Sequence, residues 1–326
     1  MVICVIGLGS MGKRRIKLLK AFFDDLVIIG IDNNVERVKS VAGEYGIDCY
    51  FALSDVPQKP DCAFVCTSPQ FHASIIQECL VNDLHVFSEI NLIDDLYDEN
   101  IQLAKQKRKV LFLSSTPLYK EEMKIIDNRI NQNGKPCAYQ YHVGQYLPDW
   151  HPWDSLENFF VSNKNTNGCR ELLAIELPWI GNVFGQIKNV HVVKAKLTDL
   201  KLDFSDTYLI QVEHSTGTIG SLTVDVVSRQ AVRKLEIFNE DLYIRWDGTP
   251  ETLYEKDVIS GELKRIPAGV YIHEDGYSES VNEYAYVKEI EEFFEVINGK
   301  EPLYSFEKDK EVLKIIDKIE RNSCND

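Results

Sequence analysis

The sequence predicts an α/β protein: a doubly wound parallel sheet first, then an α+β half on a large, mostly antiparallel open sheet. Three observations carry that expectation. Short apolar runs alternate with helix-like segments through the first third of the chain. The first run leads directly into a glycine-rich turn, Gly7-Leu8-Gly9-Ser10-Met11-Gly12. Beyond residue 119 the pattern changes, and after one helix the strands become long and come in succession. The expected division is 1–118 and 119–326.

Val2 to Ile6 is apolar throughout and reads as a buried strand. Lys13 to Phe23 follows as a helix, with Ile16, Leu18, Leu19 and Phe22 spaced for one face. A strand–turn–helix of this kind suits a dinucleotide. Gly7 permits the tight turn, Gly9 lets backbone N–H groups approach a pyrophosphate, and Gly12 lets helix and strand pack closely; Ser10 and Met11 complete the loop. Leu26 to Ile31 is a second strand, ended by Asp32, 20 residues after Gly12. A carboxylate there accepts ribose hydroxyls and repels a 2′-phosphate, which favours NAD over NADP; the competing reading is an aspartate that caps a turn. Lys13, Arg14 and Arg15 are expected to be mostly solvated.

Asp61 to Cys66 is the next strand, followed by Thr67-Ser68-Pro69-Gln70-Phe71-His72 and a helix through Leu80. His85-Val86-Phe87 is a short strand, Asp95 to Gln106 a helix, and Val110 to Leu113 a strand. After a helix at 120–132, strands are expected at 138–145, 190–197, 207–214, 218–227, 234–239 and 242–246, with Glu240-Asp241 as a hairpin turn. In 218–227, Leu222, Val224 and Val226 alternate with Ser221, Thr223 and Asp225, so one face is buried and one polar. Helices at 283–297 and 308–321 close the chain.

Bulk properties narrow the function. With 326 residues, 44% of them hydrophobic, the chain can bury a large core in two domains. A net charge of −15 disfavours nucleic acid and anionic lipid as partners. No apolar run approaches the roughly 18 residues of a membrane span, and the first is too short for a secretory signal, so a cytoplasmic location is expected. The eight cysteines are scattered, several within strand-like runs; Cys62 and Cys66 lie inside one of them. They read as reduced core thiols, with no metal site.

The glycine loop, Thr67-Ser68-Pro69-Gln70-Phe71-His72, the segment His85-Val86-Phe87-Ser88-Glu89 and the change to a sheet domain together resemble the Gfo/Idh/MocA oxidoreductases over nearly the whole chain. The resemblance implies an N-terminal Rossmann domain carrying NAD or NADP. It also implies a C-terminal sheet used for oligomerisation, hence a homodimer or homotetramer, and a sugar-type substrate held between the domains. It places Thr67, Ser68, Pro69 and His72 toward the ribose–nicotinamide half of the cofactor, with a packed histidine as the other reading of His72. Glu89 falls on the first residue of the family's Glu-Lys-Pro signature, near the nicotinamide ribose.

The chemistry that this family normally carries is missing. The stretch reads Glu89-Ile90-Asn91, so isoleucine stands at the lysine position. In Asn167 to Pro178, Ala174 and Pro178 fall on the family's Asp-x-x-x-His pair, and Pro178 should also kink the helix. Substitute acid–base groups are Glu171, one turn before Ala174, together with Tyr119 and His151. A surface glutamate, a packed tyrosine and a loop histidine are the competing readings. Trp150 and Trp153, in Tyr146-Leu147-Pro148-Asp149-Trp150-His151-Pro152-Trp153-Asp154, suit a sugar, unless the loop simply packs on a helix or a neighbouring subunit. Arg170 could fork onto a carboxylate or phosphate of an acidic or nucleotide-linked sugar. The expected function is an NAD-dependent oxidoreductase of a sugar or sugar derivative. The alternative is a regulatory protein of the same fold that binds nicotinamide or sugar without turnover.

Overall fold

The computed structural model describes residues 1–150, 159–274, 276 and 278–321. They form two compact units, Met1–Ser115 with Tyr286–Lys310, and the described parts of Thr116–Ala285 with Glu311–Asp326.

The first unit is built on a six-stranded parallel sheet: β1 (Val2–Ile6), β2 (Val27–Ile31), β3 (Asp48–Tyr50), β4 (Cys62–Val65), β5 (His85–Ser88) and β6 (Leu111–Leu113), in the order β3-β2-β1-β4-β5-β6. Helices α1 (Ser10–Phe22), α2 (Val35–Tyr45), α3 (His72–Val81) and α4 (Tyr97–Lys107) lie along the chain between them. β1 is buried at every position, as its unbroken apolar run requires. The sequence reading passed over α2 and β3. α2 exists because the Asn34 side chain accepts from the N–H groups of Glu36 and Arg37, and Gly46 ends it in a left-handed conformation at φ 62°. Phe64, Phe87 and Phe112 stand in register across β4, β5 and β6 and stack at 4.7 and 5.2 Å. Phe293 meets all three edge-on, at 5.4 to 5.6 Å.

The second unit holds α5 (Glu121–Asn133), β7 (Ala138–Gly144), α6 (Gly168–Phe184), β8 (Ile187–Ala195), β9 (Thr207–His214), β10 (Ile219–Asp225), β11 (Val232–Phe238), β12 (Tyr243–Trp246), β13 (Leu253–Lys256) and β14 (Leu263–Arg265). Its eight-stranded sheet has the order β14-β13-β12-β11-β7-β10-β9-β8. Only β7 and β10 pair in parallel; the other neighbours are antiparallel. β13 and β14 escaped the sequence reading because they are short and at the edge, and β14 is exposed at all three residues. Along β9, Tyr208, Ile210, Val212 and His214 are buried while Leu209, Gln211 and Glu213 are exposed. α6 runs as one helix through Pro178, with Leu177, Trp179 and Ile180 buried beside it, so packing on both sides sustains the helix where the ring removes a backbone donor.

The chain closes with α7 (Glu283–Ile297) and α8 (Phe306–Arg321), parts of which belong to each unit. Among the described residues no helix is long and apolar enough to cross a membrane.

Candidate functional site

Strand order puts the switch point of the parallel sheet between β1 and β4, because the chain leaves β1 toward β2 and β3 and then crosses to β4. Ligands of doubly wound sheets bind beyond the strand ends at that point. The two loops there are the glycine turn after β1 and Cys66–Pro69 after β4. They touch: a Cβ on Gly7, whose φ is +95°, would lie 2.7 Å from the carbonyl carbon of Cys66 and from the Thr67 nitrogen. A Cβ on Gly12 would lie 1.9 Å from the Gly7 oxygen, so glycine is the residue that lets α1 start so close to the turn. A Cβ on Gly9 would meet nothing within 4 Å, which leaves open space over the loop where a diphosphate needs it. Ser10 and Met11 open α1 half-buried; no side chain caps that helix and its first turn holds no acidic residue, a start compatible with an anion.

Asp32, at the end of β2, is buried and ties the loop down. Its Oδ2 accepts from Leu8 N–H at 2.7 Å and its Oδ1 from Asn34 N–H at 2.8 Å. Each oxygen keeps a second lone pair for a ribose hydroxyl. Arg37, in the first turn of α2, brings its guanidinium to 3.6 Å from the same carboxylate. No local pattern marks this arginine, because it meets Asp32 only once α2 has formed.

Thr67 and Ser68 are half-buried, and Pro69 opens the short helical turn that leads into α3. His72 is buried, with Nδ1 2.6 Å from Asn91 Oδ1 and Nε2 2.8 Å from the Thr67 carbonyl oxygen. The Glu89 carboxylate takes the guanidinium of Arg15, Nε at 2.6 Å and Nη2 at 3.2 Å. Arg15 also donates to Glu289 at 2.7 Å and lies 4.5 Å over the Phe87 ring. The expectation that the cations after Gly12 are mostly solvated holds for Lys13, which pairs with Glu44 in solvent, and fails for the buried Arg14 and Arg15. For Arg15, carboxylates from two other elements and the rings of Phe87 and Tyr286 offset the burial, a pairing no local sequence pattern contains.

In the second unit Glu171 sits in the first turn of α6. One carboxyl oxygen is sheltered from solvent with no hydrogen-bond partner, and burial alone pushes the group up to about 7. Ala174 and Pro178, on the same helix, are buried and carry no ionisable group. Tyr119 is buried in the turn Thr116–Tyr119, which packs on α6. Trp150 is half-buried and its indole N–H donates to the Gln145 carbonyl at 3.1 Å. Arg170 does not offer its fork to a ligand: one arm donates to Asp317 at 2.9 Å and the other to Glu320, both on α8. The guanidinium thus finds its carboxylates inside the fold. His151 and Trp153 lie outside the described residues.

Sequence reasoning missed a second buried polar group in this unit. Lys120 donates to the Ser280 carbonyl at 2.8 Å and lies 5.4 Å from the centre of the Trp246 ring; burial, aided by Arg233, brings it down to about 8. Glu122 is fully buried with neither carboxyl oxygen hydrogen-bonded, and burial raises its pKa. Tyr141 donates to Glu176, which also takes Arg233. Nothing in Tyr119-Lys120-Glu121-Glu122 distinguishes these residues from a solvated helix start.

Comparison with known proteins agrees with this geometry. No curated protein matches the chain. Among solved structures, UDP-N-acetylglucosamine 3-dehydrogenase GnnA from Acidithiobacillus ferrooxidans is 18% identical with a TM-score of 0.75, over 98% of this chain and 96% of that one. The WlbA dehydrogenase from Bordetella pertussis, in complex with NADH and UDP-GlcNAcA, is 16% identical with a TM-score of 0.74, over 98% and 94%. A Desulfitobacterium hafniense protein described as an NADPH-dependent oxidoreductase is 12% identical with a TM-score of 0.80, over 97% and 93%. At these identities the likeness is one of fold. Residues 1–114 match the Gfo/Idh/MocA family model, described as an oxidoreductase family with an NAD-binding Rossmann fold. Residues 1–114 of this chain are therefore similar to the NAD-binding Rossmann fold of that oxidoreductase family.

Proposed function

We propose that the protein is an NAD-dependent oxidoreductase acting on a sugar or sugar derivative, with Glu171 in place of the family's lysine and histidine as the proton-carrying group. The observation that carries the cofactor reading is the junction of Gly7 with Cys66 and Thr67, where Asp32 holds the glycine turn and Gly9 leaves space above it. The residues fit a dinucleotide: the N–H groups of the loop and of the α1 start take the diphosphate, and Asp32 takes the adenosine ribose. Asp32 favours NAD, while Arg37 keeps a cation within reach of a 2′-phosphate. Bound NAD supplies the hydride acceptor or donor. The chain's own part is to fix the dinucleotide and to move one proton at the reacting oxygen, and a carboxyl near 7 is matched to that task at neutral pH. The sugar class is supported by Trp150 and by the nucleotide-sugar names of two structural neighbours. A cytoplasmic location is supported by thiols such as Cys4, Cys62 and Cys79, unbonded and buried. Oligomerisation through the second unit's sheet is supported by Val193, Leu209, Ile219 and Phe238, exposed apolar side chains on strands of that sheet.

The test is turnover. Purified protein is mixed with NAD and a panel of free, acidic and nucleotide-linked sugars while absorbance of the reduced cofactor is followed. The reading expects turnover with a pH limb near 7, and a loss of about 10²–10⁴-fold in Glu171→Gln with that limb gone. Glu171→Gln that turns over like wild type removes the proton-carrying role. Tight NADH binding without turnover across the panel would instead establish the second reading, a binding protein, which the loss of ionisable side chains at Ile90, Ala174 and Pro178 favours.

A further inference from the structure

His72 is 1% exposed, and each of its ring nitrogens faces an oxygen: Asn91 Oδ1 at 2.6 Å and the Thr67 carbonyl at 2.8 Å. Only an imidazolium could donate to both. Burial outweighs the upward pull of Thr67, Asn91 and Glu89 and keeps the pKa low, and Glu89, the one charged group acting on the ring, is already held by Arg15. A neutral ring donates once and accepts once. The Thr67 carbonyl can only accept, so the proton sits on Nε2. The bare Nδ1 then needs a donor, and the Asn91 amide can offer its Nδ2, which is buried with no partner at hydrogen-bond geometry and only approaches the oxygen of the Tyr97 hydroxyl, itself donated to Asp309 at 2.6 Å. Turning the amide over by half a revolution brings Nδ2 onto Nδ1, which removes the clash of lone pairs and satisfies the orphaned donor together.

We propose that His72 is a positioning residue for dinucleotide binding: a neutral imidazole in the Nε2–H form, fixed by the Asn91 amide, which holds the Thr67 carbonyl and with it the Thr67-Ser68-Pro69 turn against Gly7. The role rests on the NAD reading above, since it is the cofactor loop that is held. It also gives Asn91 a task at the very stretch where the chain has lost the lysine of Glu-Lys-Pro. Asn91 supplies the donor that a proline, with no side-chain N–H, could not.

The test combines ¹⁵N-histidine NMR with NADH titration on the full-length protein. Wild type is expected to show His72 with Nε2 protonated and Nδ1 bare at about pH 7 and above. NADH affinity should fall roughly tenfold in His72→Leu, as one hydrogen bond's loss implies, and recover in His72→Gln, which keeps a donor near the Nε2 position. Asn91→Asp offers Nδ1 only an acceptor. It should protonate both ring nitrogens at pH 7 and make NADH affinity pH-dependent. An imidazolium or an Nδ1–H form in wild type overturns the proposal, as does a folded His72→Leu that binds NADH like wild type. Should His72→Leu not fold, the tautomer in wild type and Asn91→Asp decides alone. Wild type that fails to bind NADH overturns the cofactor reading itself and this role with it, a result distinct from any of the variant outcomes.

Discussion

The Nε of Arg15 stands 2.6 Å from Oε1 of Glu89, and neither side chain is more than 7% exposed. Glu289 closes the other side of the guanidinium at 2.7 Å and is itself held by the Ser115 N–H, also at 2.7 Å. The group fastens α1, the end of β5 and the Tyr286–Lys310 segment into one unit. Arg15→Met strands two buried carboxylates and is expected to cost about 3–5 kcal/mol in urea unfolding. Arg15→Lys recovers part of this at most, because an ammonium cannot reproduce the fork. A loss under about 1 kcal/mol in Arg15→Met would show that water enters the group and solvates it.

Gly9 and Gly12 should separate folding from cofactor binding. Gly12→Ala places a carbon 1.9 Å from the Gly7 oxygen, so both thermal stability and NADH binding are expected to drop. Gly9→Ala meets no atom of the chain within 4 Å, so its melting temperature should match wild type while NADH binding weakens at least tenfold. Unchanged NADH affinity in Gly9→Ala would place the diphosphate elsewhere.

The Glu171 carboxyl carries a second signature, in stability. Its folded pKa of about 7 lies above the ordinary 4.5, so the folded chain holds this proton in a window where the unfolded chain has released it. Stability from this group is complete below pH 4.5 and is lost as pH rises through 7. Melting temperatures of wild type and Glu171→Gln, compared from pH 4 to 8, should therefore diverge from one another across that window. Parallel curves would mean that the carboxyl is solvated.

Lys120 runs the other way. Burial lowers it from 10.5 to about 8, so between those values the unfolded chain binds the proton and the folded chain does not. Wild type should gain stability over Lys120→Met as pH rises from 8 to 10.5, by about 3 kcal/mol in chemical denaturation. A pH-independent difference would mean that the amine keeps its proton inside the fold.

Leu209 and Val193 face each other across β8 and β9 on the exposed side of the sheet, each more than half exposed. If that side joins copies of the chain, Leu209→Arg should convert the assembly to monomers in sedimentation experiments with little change in the melting of the monomer. An assembly that survives the substitution would place the interface elsewhere.

Local patterns were enough for much of the architecture. The apolar run Val2–Ile6 set beside Gly7, Gly9 and Gly12 identifies a strand, turn and helix, because the constraint lies in adjacent residues and in the absence of a Cβ. The alternation in 218–227 likewise announces a sheet with one buried face, since side chains on a strand point to opposite sides by geometry alone. α2 depends on its Asn34 cap, and β13 and β14 are short strands that depend on their sheet partners, so none of the three was legible. Asp32 was legible as a loop-end carboxylate, and the structure adds that it already holds Leu8.

The charged side chains were decided only by the tertiary structure. Arg15, Glu89, Arg170 and Lys120 look in the sequence like groups facing solvent or ligand, and in the fold they are spent on partners up to 274 residues away. Glu171 is the reverse case, a glutamate with the look of a helix surface, one of whose carboxyl oxygens is sheltered without a hydrogen-bond partner. The reason is physical. A strand or a glycine turn is specified by its neighbours in the chain, whereas the state of a charge depends on how much water is removed and which opposite charge arrives, and both follow from packing between distant segments. The sequence alone therefore determined an α/β chain that opens on a strand, a glycine turn and a helix, and the tertiary structure decided which of its ionisable groups are paired and which are not.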